Sequence, residues 1–383
     1  MTGLIYWDNA ATTWPKPTAV QLSACKANEL YGANPGRAGH DMALKTAEQL
    51  YDCRRAAADF FGLKDPSGVV FTANCTTALN MVIQGLLNDD GRAVTSDLEH
   101  NAVMRPLAAL SQQRYDVVPW CPDEDELVER FRRAIRPDTR LMIVTHASNV
   151  FGVTLPIRKL GELAHRYGVL FCVDAAQTAG VLPIDMEADH VDYLCVAAHK
   201  GLYAPTGMGM LLCREKERIA PLVRGGTGSY SMLLAQPNDL PDRLESGTPN
   251  TSGICGLHAG IAFVSNRGRE KIHQHELALL QYVYDRLSDC SFVRFYTPRP
   301  CVNNTAPVLS LNVGEWPSEQ VAEVLNEHHI AVRAGLHCAP CAHRRFGTLE
   351  QGTVRLAPSV FSSRAEAEYI CKVFLKIGEK ALH

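Results

Sequence analysis

The sequence predicts an α/β fold with two domains: a large domain with a mainly parallel sheet covered by helices, and a smaller C-terminal α+β domain. At 383 residues the chain exceeds the size that one hydrophobic core usually serves. Its middle alternates short apolar runs with helical patterns, and this pattern changes after about residue 260. We place the large domain at residues 15–260 and the small domain at 261–383 together with 1–14.

The large domain is predicted from a series of short apolar runs that have the composition of buried strands. In chain order these runs are GVVFTA, RAVTSD, RYDVVPW, RLMIVTHAS, VLFCVDAA, VDYLCVAAH and GMGMLLC. Between them lie the helical patterns ALNMVIQGLL, AVMRPLAALSQQ, DEDELVERFRRAI and IRKLGELAHRYG. Continuously apolar strands that alternate with helices are typical of a parallel sheet buried on both faces by crossover helices.

The small domain is predicted from a long helical stretch followed by a mixture of strands and helices. The helical stretch contains HQHELALLQYVYDRLSD, and the segments after it are SFVRFY, PVLSLNV, SEQVAEVLNEHH, IAVRAG and GTVRLA, with a final helix from Arg364. This order is typical of an α+β domain.

Composition and charge argue against several classes of protein. Hydrophobic residues make up 46% of the chain and charged residues 21%, and the net charge of -3 offers no basic surface for nucleic acid. The N-terminus lacks a secretory pattern, and no apolar run approaches the ~18 to 20 residues of a membrane span. The 13 cysteines lack framework spacing, which favours a reducing compartment. We expect a soluble cytoplasmic protein that binds neither nucleic acid nor membrane.

Polar side chains follow the predicted strands of the large domain, at the points where the strands end. Asn74-Cys75-Thr76-Thr77 opens a helix after GVVFTA, and free backbone N–H groups at a helix start suit a phosphate. An ordinary helix cap by Thr76 is the alternative. His100, Asp174 and Lys200 follow three further strands. Because carboxyl ends of parallel strands meet at one edge of a sheet, we expect these residues to line one site.

This set of residue types meets the chemical demands of pyridoxal 5'-phosphate. A lysine at the end of a buried strand is costly unless it is paired or used covalently, and desolvation lowers its pKa. Lys200 would form the aldimine, Asp174 would keep the pyridine nitrogen protonated, and His100 would stack on the ring. No GxGxxG follows the first strand, which disfavours a dinucleotide site.

At these motifs the sequence resembles the class V aminotransferase family of fold-type I pyridoxal-phosphate enzymes, and within it the cysteine desulfurase and selenocysteine lyase group. The resemblance covers nearly the whole chain and rests on YWDNAATT, NPGRAGH, SDLEHNA, THASNVFG, VDAAQTAG, AAHKGLYAPTGMG, SGTPNT, RAGLHCAP and GTVRLA. It implies a fold-type I enzyme with pyridoxal 5'-phosphate bound as an aldimine on Lys200. It also implies a homodimer, in which Thr248 reaches the phosphate of the neighbouring subunit.

The resemblance also implies a role for each matching residue. We expect Cys75 and Thr76 at the cofactor from the helix start, and the resemblance adds His100, Asn149, Asp174, Gln177, His199, Lys200 and Thr248. Those it places at the substrate are Ala10, Arg37, Asn149 and Arg355, with Arg355 clamping the carboxylate. The chain departs from the family at Ala197 and Ala198, since the family often has a serine or threonine just before the His-Lys pair, where it makes a further phosphate bond.

The reaction that the resemblance implies is conversion of L-cysteine to L-alanine. Lys200 removes the Cα proton, and Cys338, as a thiolate, takes the sulfur as a persulfide that passes to an acceptor, expected to be a partner protein. His337 or His100 would accept or share the thiol proton. The alternatives on the same cofactor are a selenocysteine lyase, a cysteine-sulfinate lyase, an aminotransferase or a racemase.

The segment GLHCAPCAH also allows an alternative from a different class, a metal or redox sensor. Its potential ligands are His337, Cys338, Cys341 and His343. Four ligands within seven residues close poorly around one tetrahedral ion, so we expect no metal. The role of Cys341 stays open between a spare packed cysteine and a second sulfur carrier.

Overall fold

The structure is a computed structural model that describes residues 3–35, 39–87, 91–214 and 219–381. Its strands are β1 (Ile5–Tyr6), β2 (Val69–Thr72), β3 (Arg92–Ser96), β4 (Tyr115–Val118), β5 (Thr139–Thr145), β6 (Leu170–Asp174), β7 (Tyr193–Val196), β8 (Gly209–Cys213), β9 (Val293–Phe295), β10 (Leu309–Val313), β11 (Ile330–Ala331) and β12 (Val354–Leu356). Its helices are α1 (Thr18–Leu30), α2 (Asp41–Phe61), α3 (Cys75–Leu87), α4 (Asn101–Ala108), α5 (Glu124–Ala134), α6 (Ile157–Arg166), α7 (Thr251–Arg267), α8 (Arg269–Leu287), α9 (Ser318–Glu327), α10 (Pro340–Arg345) and α11 (Arg364–Ala381).

A seven-stranded sheet of order β2-β8-β7-β6-β5-β3-β4 forms the centre of the large domain. All neighbours pair in parallel except β8, which is antiparallel to both β7 and β2. Six strands therefore run in one direction and end at the same edge of the sheet. The central strands are buried almost throughout, as expected for a sheet with helices on both faces. The predicted fold class is confirmed.

A three-stranded antiparallel sheet of order β12-β10-β9 forms the second layer, in the C-terminal part of the chain. The N-terminal strand β1 pairs in parallel with β11, and Trp7 packs in the same hydrophobic cluster as Leu311 and Phe374. This packing joins Ile5, Tyr6 and Trp7 to elements of the C-terminal part of the chain. The domain boundaries themselves stay a proposal.

The cysteines are all free thiols, and three of the buried ones lie inside the large sheet. Cys172, Cys195 and Cys213 are completely buried in β6, β7 and β8, where they fill space as small apolar side chains. Within the described ranges, no helix combines the length and apolarity that crossing a bilayer requires.

A buried ion pair joins α2, the edge strand β2 and the loop that precedes α7. Two nitrogens of the Arg54 guanidinium donate to the two carboxylate oxygens of Glu245, at 2.7 and 2.6 Å. The same guanidinium donates to the carbonyl of Val69 and lies 4.4 Å from the centre of the Phe71 ring. Because Glu245 is close in sequence to Thr248, this pair fixes the start of the segment that carries Thr248.

We expect Arg54→Ala to destabilise the fold by about 3 kcal/mol, because the largely buried carboxylate of Glu245 loses its cation and keeps only the hydrogen bond from the Phe71 N–H. Arg55→Ala is the matched control: the Arg55 side chain is 60% exposed and its pair with Asp52 is on the surface. The control should change stability by less than about 1 kcal/mol. Urea denaturation of the two variants measures the difference, and equal losses would contradict the role of the Arg54–Glu245 pair.

Candidate active site

A cavity opens where the six parallel strands of the large sheet end. Eight of the nine predicted cofactor residues line it: Cys75, Thr76, His100, Asn149, Asp174, Gln177, His199 and Lys200. The ninth, Thr248, lines a different cavity of this chain, where Asn34 Nδ2 donates to its hydroxyl at 3.2 Å. The proposed contact of Thr248 with a neighbouring subunit therefore stays a prediction.

The start of α3 forms a cup of free backbone donors at one end of the cavity. Asn74, rather than Thr76, caps this helix, since Asn74 Oδ1 accepts from the N–H of Thr77 at 2.9 Å. The N–H groups of Cys75 and Thr76 have no intrahelical acceptor because they belong to the first turn. Gly209 of β8 passes so close behind that a Cβ there would lie 2.5 Å from the carbonyl carbon of Asn74. The cup therefore suits an anion and requires glycine behind it.

Asp174 stands at the end of β6 with one carboxylate oxygen held by the protein. Its Oδ1 accepts from the N–H of Ala176 at 2.9 Å and from the thiol of Cys75 at 3.4 Å. Burial raises the pKa of Asp174, and the charge of Lys200 acts in the opposite direction. Because both hydrogen bonds engage Oδ1, Oδ2 is left to receive a proton donor in the cavity.

Lys200 follows β7 and carries an amine whose affinity for protons is reduced. Burial lowers the pKa of Lys200 to about 8, with a further lowering by the Arg355 charge and a partial offset by Asp174. A substantial fraction of this amine is therefore neutral near physiological pH, which a nucleophile or base requires.

His100 caps α4 and is neutral. Its Nδ1 accepts from the N–H of Ala102 at 3.0 Å, so the ring proton is on Nε2. Burial lowers the pKa of His100 to about 4, and the positive charges of Lys200 and Arg333 add to this effect. An uncharged ring that is fixed at a helix start can stack on a planar ligand.

Arg355 contacts the backbone of Asn149, a residue of the cavity wall, and is only 1% exposed. One guanidinium nitrogen donates to Asp8 Oδ1 at 2.9 Å and another to the carbonyl of Asn149 at 2.9 Å, while Nε has no partner among the described residues. Asn149 Oδ1 is likewise buried without a partner. Buried polar atoms without a partner are rare, and a bound polar ligand is one explanation for them. Asp8, which the sequence reasoning missed, lies within the quoted motif YWDNAATT.

The turn that carries Cys338 is strained, and residues of the large domain hold it in place. His337 and Cys338 both adopt left-handed backbone conformations, with φ of 49° and 57°. The carbonyl of Cys338 accepts from the N–H of Asn101 at 2.7 Å, and the carbonyl of His337 accepts from Asn149 Nδ2 at 2.7 Å. Strain of this kind persists only when surrounding contacts maintain it, and it is concentrated at functional sites.

The Cys338 thiol is exposed, and its polar neighbour is an arginine that the sequence reasoning missed. Arg333 Nη2 lies 3.9 Å from Cys338 Sγ. His337 instead turns its Nε2 to the carbonyl of Arg333 at 3.3 Å, and burial lowers its pKa to about 2. The His337 side chain is thus a buried, neutral ring.

The alternative metal cluster does not assemble in the described structure. The rings of His337 and His343 stack with centres 5.7 Å apart, and His343 Nδ1 lies 2.7 Å from the hydroxyl of Thr348. Among the described residues, no group of three or more histidine, cysteine, aspartate or glutamate side chains could hold a metal ion. The half-buried Cys341 lies in the first turn of α10, and its role remains open.

The N-terminal motif and the residues after it make more contacts next to Lys200 than the sequence predicted. The carbonyl of Ala10 accepts from Gln177 Nε2 at 3.2 Å. Ala10 therefore lies next to a residue that lines the cavity but does not line the cavity itself. Thr12 and Lys16, which no prediction included, contact His199. Arg37, predicted at the substrate, lies outside the described residues.

Known proteins resemble this chain over most of its length. The sequence profile described as aminotransferase class-V matches residues 5–370. A protein of Escherichia coli O8 named cysteine desulfurase is 32% identical over 348 residues, covering 88% of this chain and 84% of the relative. A structure described as the apo form of cysteine desulfurase from Thermococcus onnurineus NA1 has a TM-score of 0.90 and 30% identity, covering 98% of this chain and 95% of that one.

Some relatives are much longer than this chain. A protein of Mycolicibacterium paratuberculosis named probable cysteine desulfurase is 32% identical over 389 residues, which cover 98% of this chain. The match covers 56% of that relative's own length.

Proposed function

The chain belongs to the aminotransferase class V family, and we propose that it is a pyridoxal-phosphate-dependent cysteine desulfurase. It would convert L-cysteine to L-alanine and hold the sulfur as a persulfide on Cys338. The observation that carries this proposal is the strained turn of Cys338, which hydrogen bonds from Asn101 and Asn149 hold next to the Lys200 cavity. Transamination alone has no use for an exposed thiol at this place.

The residues of the cavity fit pyridoxal 5'-phosphate, which membership of this family implies. The free N–H groups at the start of α3 suit the phosphate of the cofactor. Asp174 Oδ2 would accept a hydrogen bond from the pyridine nitrogen, and the neutral His100 ring would stack on the face of the pyridine ring. Lys200 Nζ would carry the covalent attachment. When bound, the cofactor supplies an electron-accepting ring next to the substrate Cα.

The protein's own part in the first half of the reaction is to orient the substrate and move one proton. Arg355 would bind the substrate carboxylate through its guanidinium, sharing it with Asp8, and the amide of Asn149 lies beside it. Lys200 Nζ, whose pKa is lowered to about 8, would then take the proton from Cα.

The second half of the reaction transfers sulfur to Cys338. The Cys338 thiolate attacks the substrate sulfur, the Cβ–S bond breaks, and its electron pair stays with the carbon that becomes the methyl group of alanine after protonation. The product on the enzyme is a Cys338 persulfide. Arg333 is the cation beside Sγ, so we assign the pairing with the thiolate to Arg333 rather than to the buried His337.

We further propose a homodimer and an external sulfur acceptor, expected to be a partner protein. Helices α1 and α2 expose several large apolar side chains that a second copy would cover: Leu22, Leu30, Met42, Leu44 and Tyr51. In such a dimer Thr248 would face the phosphate of the neighbouring subunit. The exposed position of Cys338 leaves its persulfide open to an incoming thiol.

The decisive test compares alanine formation from L-cysteine, L-selenocysteine and L-cysteine sulfinate. We expect turnover of L-cysteine that Cys338→Ala reduces by at least about 100-fold while the cofactor stays bound, because the nucleophile is missing. Cys341→Ala is the matched control and should retain single-turnover persulfide formation. If Cys338→Ala keeps its activity with L-cysteine, or if only the sulfinate is a substrate, the proposed function is wrong.

The lowered pKa of Lys200 predicts how loading of the apoprotein with pyridoxal phosphate depends on pH. Attachment requires the neutral amine, so the loading rate should rise with pH up to about 8 and then level off, whereas an ordinary lysine would continue to gain up to about 10.5. Arg355→Gln should move the curve to higher pH, because a nearby positive charge is lost, and Arg355→Lys should not. Visible absorbance follows the loading.

Lys200→Ala is the control for this experiment. Borohydride reduction followed by mass spectrometry should place the cofactor on Lys200 in the wild type and on no residue in the variant. A loading curve without a plateau below about pH 10 would contradict the lowered pKa.

A further inference from the structure

The N-terminal segment Thr12–Lys16 binds the backbone next to Lys200. Lys16 Nζ donates to the carbonyl of His199 at 2.6 Å and to the Thr13 hydroxyl at 2.7 Å. The N–H of Thr13 lies 3.3 Å from the same His199 carbonyl, and the Thr13 hydroxyl lies 3.1 Å from the carbonyl of Lys200. The Thr12 hydroxyl lies 3.2 Å from the His199 carbonyl and 3.0 Å from His199 Nδ1.

More hydrogen-bond donors lie near the His199 carbonyl than its oxygen can accept. A carbonyl oxygen has two lone pairs, whereas four donors lie within reach of the His199 carbonyl: Lys16 Nζ, the Thr13 N–H and the hydroxyls of Thr12 and Thr13. The charged Lys16 makes the shortest contact, and the Thr13 N–H has no alternative acceptor among the described residues. The Thr13 hydroxyl can donate to the carbonyl of Lys200 instead.

Among the described residues, His199 Nδ1 is then the one acceptor left for the Thr12 hydroxyl proton. A neutral imidazole that accepts at Nδ1 carries its proton on Nε2. Burial and the positive charges of Lys200 and Lys16 lower the pKa of His199 to about 4, which keeps the ring neutral. The ring lines the cavity, and its Nε2 has no hydrogen-bond partner among the described residues.

We propose that Thr12 is a positioning residue that selects the Nε2–H tautomer of His199, so that this ring donates a hydrogen bond to the phosphate of the cofactor. Lys16 assists by occupying the His199 carbonyl and so freeing the Thr12 hydroxyl. This inference rests on the proposed function only in taking pyridoxal phosphate as the ligand. It gives His199 a defined donor role in a chain where Ala197 and Ala198 lack the hydroxyl that the family often has at this place.

The test is the ratio of the affinities of the apoprotein for pyridoxal phosphate and for pyridoxal, which has the same ring and aldehyde but no phosphate. Thr12→Val removes the hydroxyl and nearly keeps the shape, and it should lower the preference for pyridoxal phosphate about ten-fold or more, as expected for a lost hydrogen bond to a charged group. Thr12→Ser keeps the hydroxyl and should retain the wild-type ratio.

A double-mutant cycle with His199→Gln separates this role from a general effect on the fold. In the His199→Gln background, Thr12→Val should cause no further change in the ratio, because the ring through which Thr12 acts is gone. An unchanged ratio in Thr12→Val, an equal loss for both aldehydes, or failure of Thr12→Ser to restore the ratio would each overturn the proposal. Neither ligand is cysteine, so a protein that passes this test and yet forms no alanine would refute only the proposed desulfurase activity.

Discussion

The electrostatic balance around the buried amine of Lys200 is the constraint on which the candidate site depends. Arg355 and Arg333 add positive charge to the same region, and Asp174 and Asp8 oppose it. Desolvation, with these positive charges adding to it, keeps both His100 and His199 uncharged. The excess of positive charge attracts the two anionic groups of the proposed ligands, a phosphate and a carboxylate. Burial and the excess of positive charge together thus set the protonation states of these residues and favour anionic ligands.

The site is assembled from segments that are far apart in the chain and meet because the sheet ends at one edge. The large sheet supplies the lysine, the aspartate and the helix start, while the C-terminal part supplies Arg355 and Cys338. The N-terminal strand β1 pairs with β11, which places Asp8 beside Arg355 and Thr12 beside His199. The N-terminal segment therefore connects the surroundings of Arg355 with those of Lys200.

Much of this arrangement could be predicted from the sequence, because strand ends in a parallel sheet share an edge. His100, Asp174 and Lys200 each follow an apolar run, so their convergence needs only the order of elements. The direction of β8 could not be predicted, since apolarity does not encode strand direction. A cap of α3 by Thr76 was the alternative to a phosphate site, whereas Asn74 caps the helix, because the cap depends on the residue at which the helix begins. The contacts of Arg333 and Lys16 depend on register and turn geometry, which periodicity does not reveal.

The hydrogen bond between the N–H of Asn101 and the carbonyl of Cys338 has a consequence for delivery of the product. Asn101 directly follows His100, which lines the cavity, so this hydrogen bond attaches the Cys338 turn to the cavity wall. If the Cys338 turn moved away from the cavity, it would have to break this hydrogen bond and the one from Asn149 Nδ2 to the His337 carbonyl. If Cys338 carries the sulfur, the donor therefore stays in place. Transfer would then require the acceptor thiol to reach the exposed Cys338 side chain where it stands.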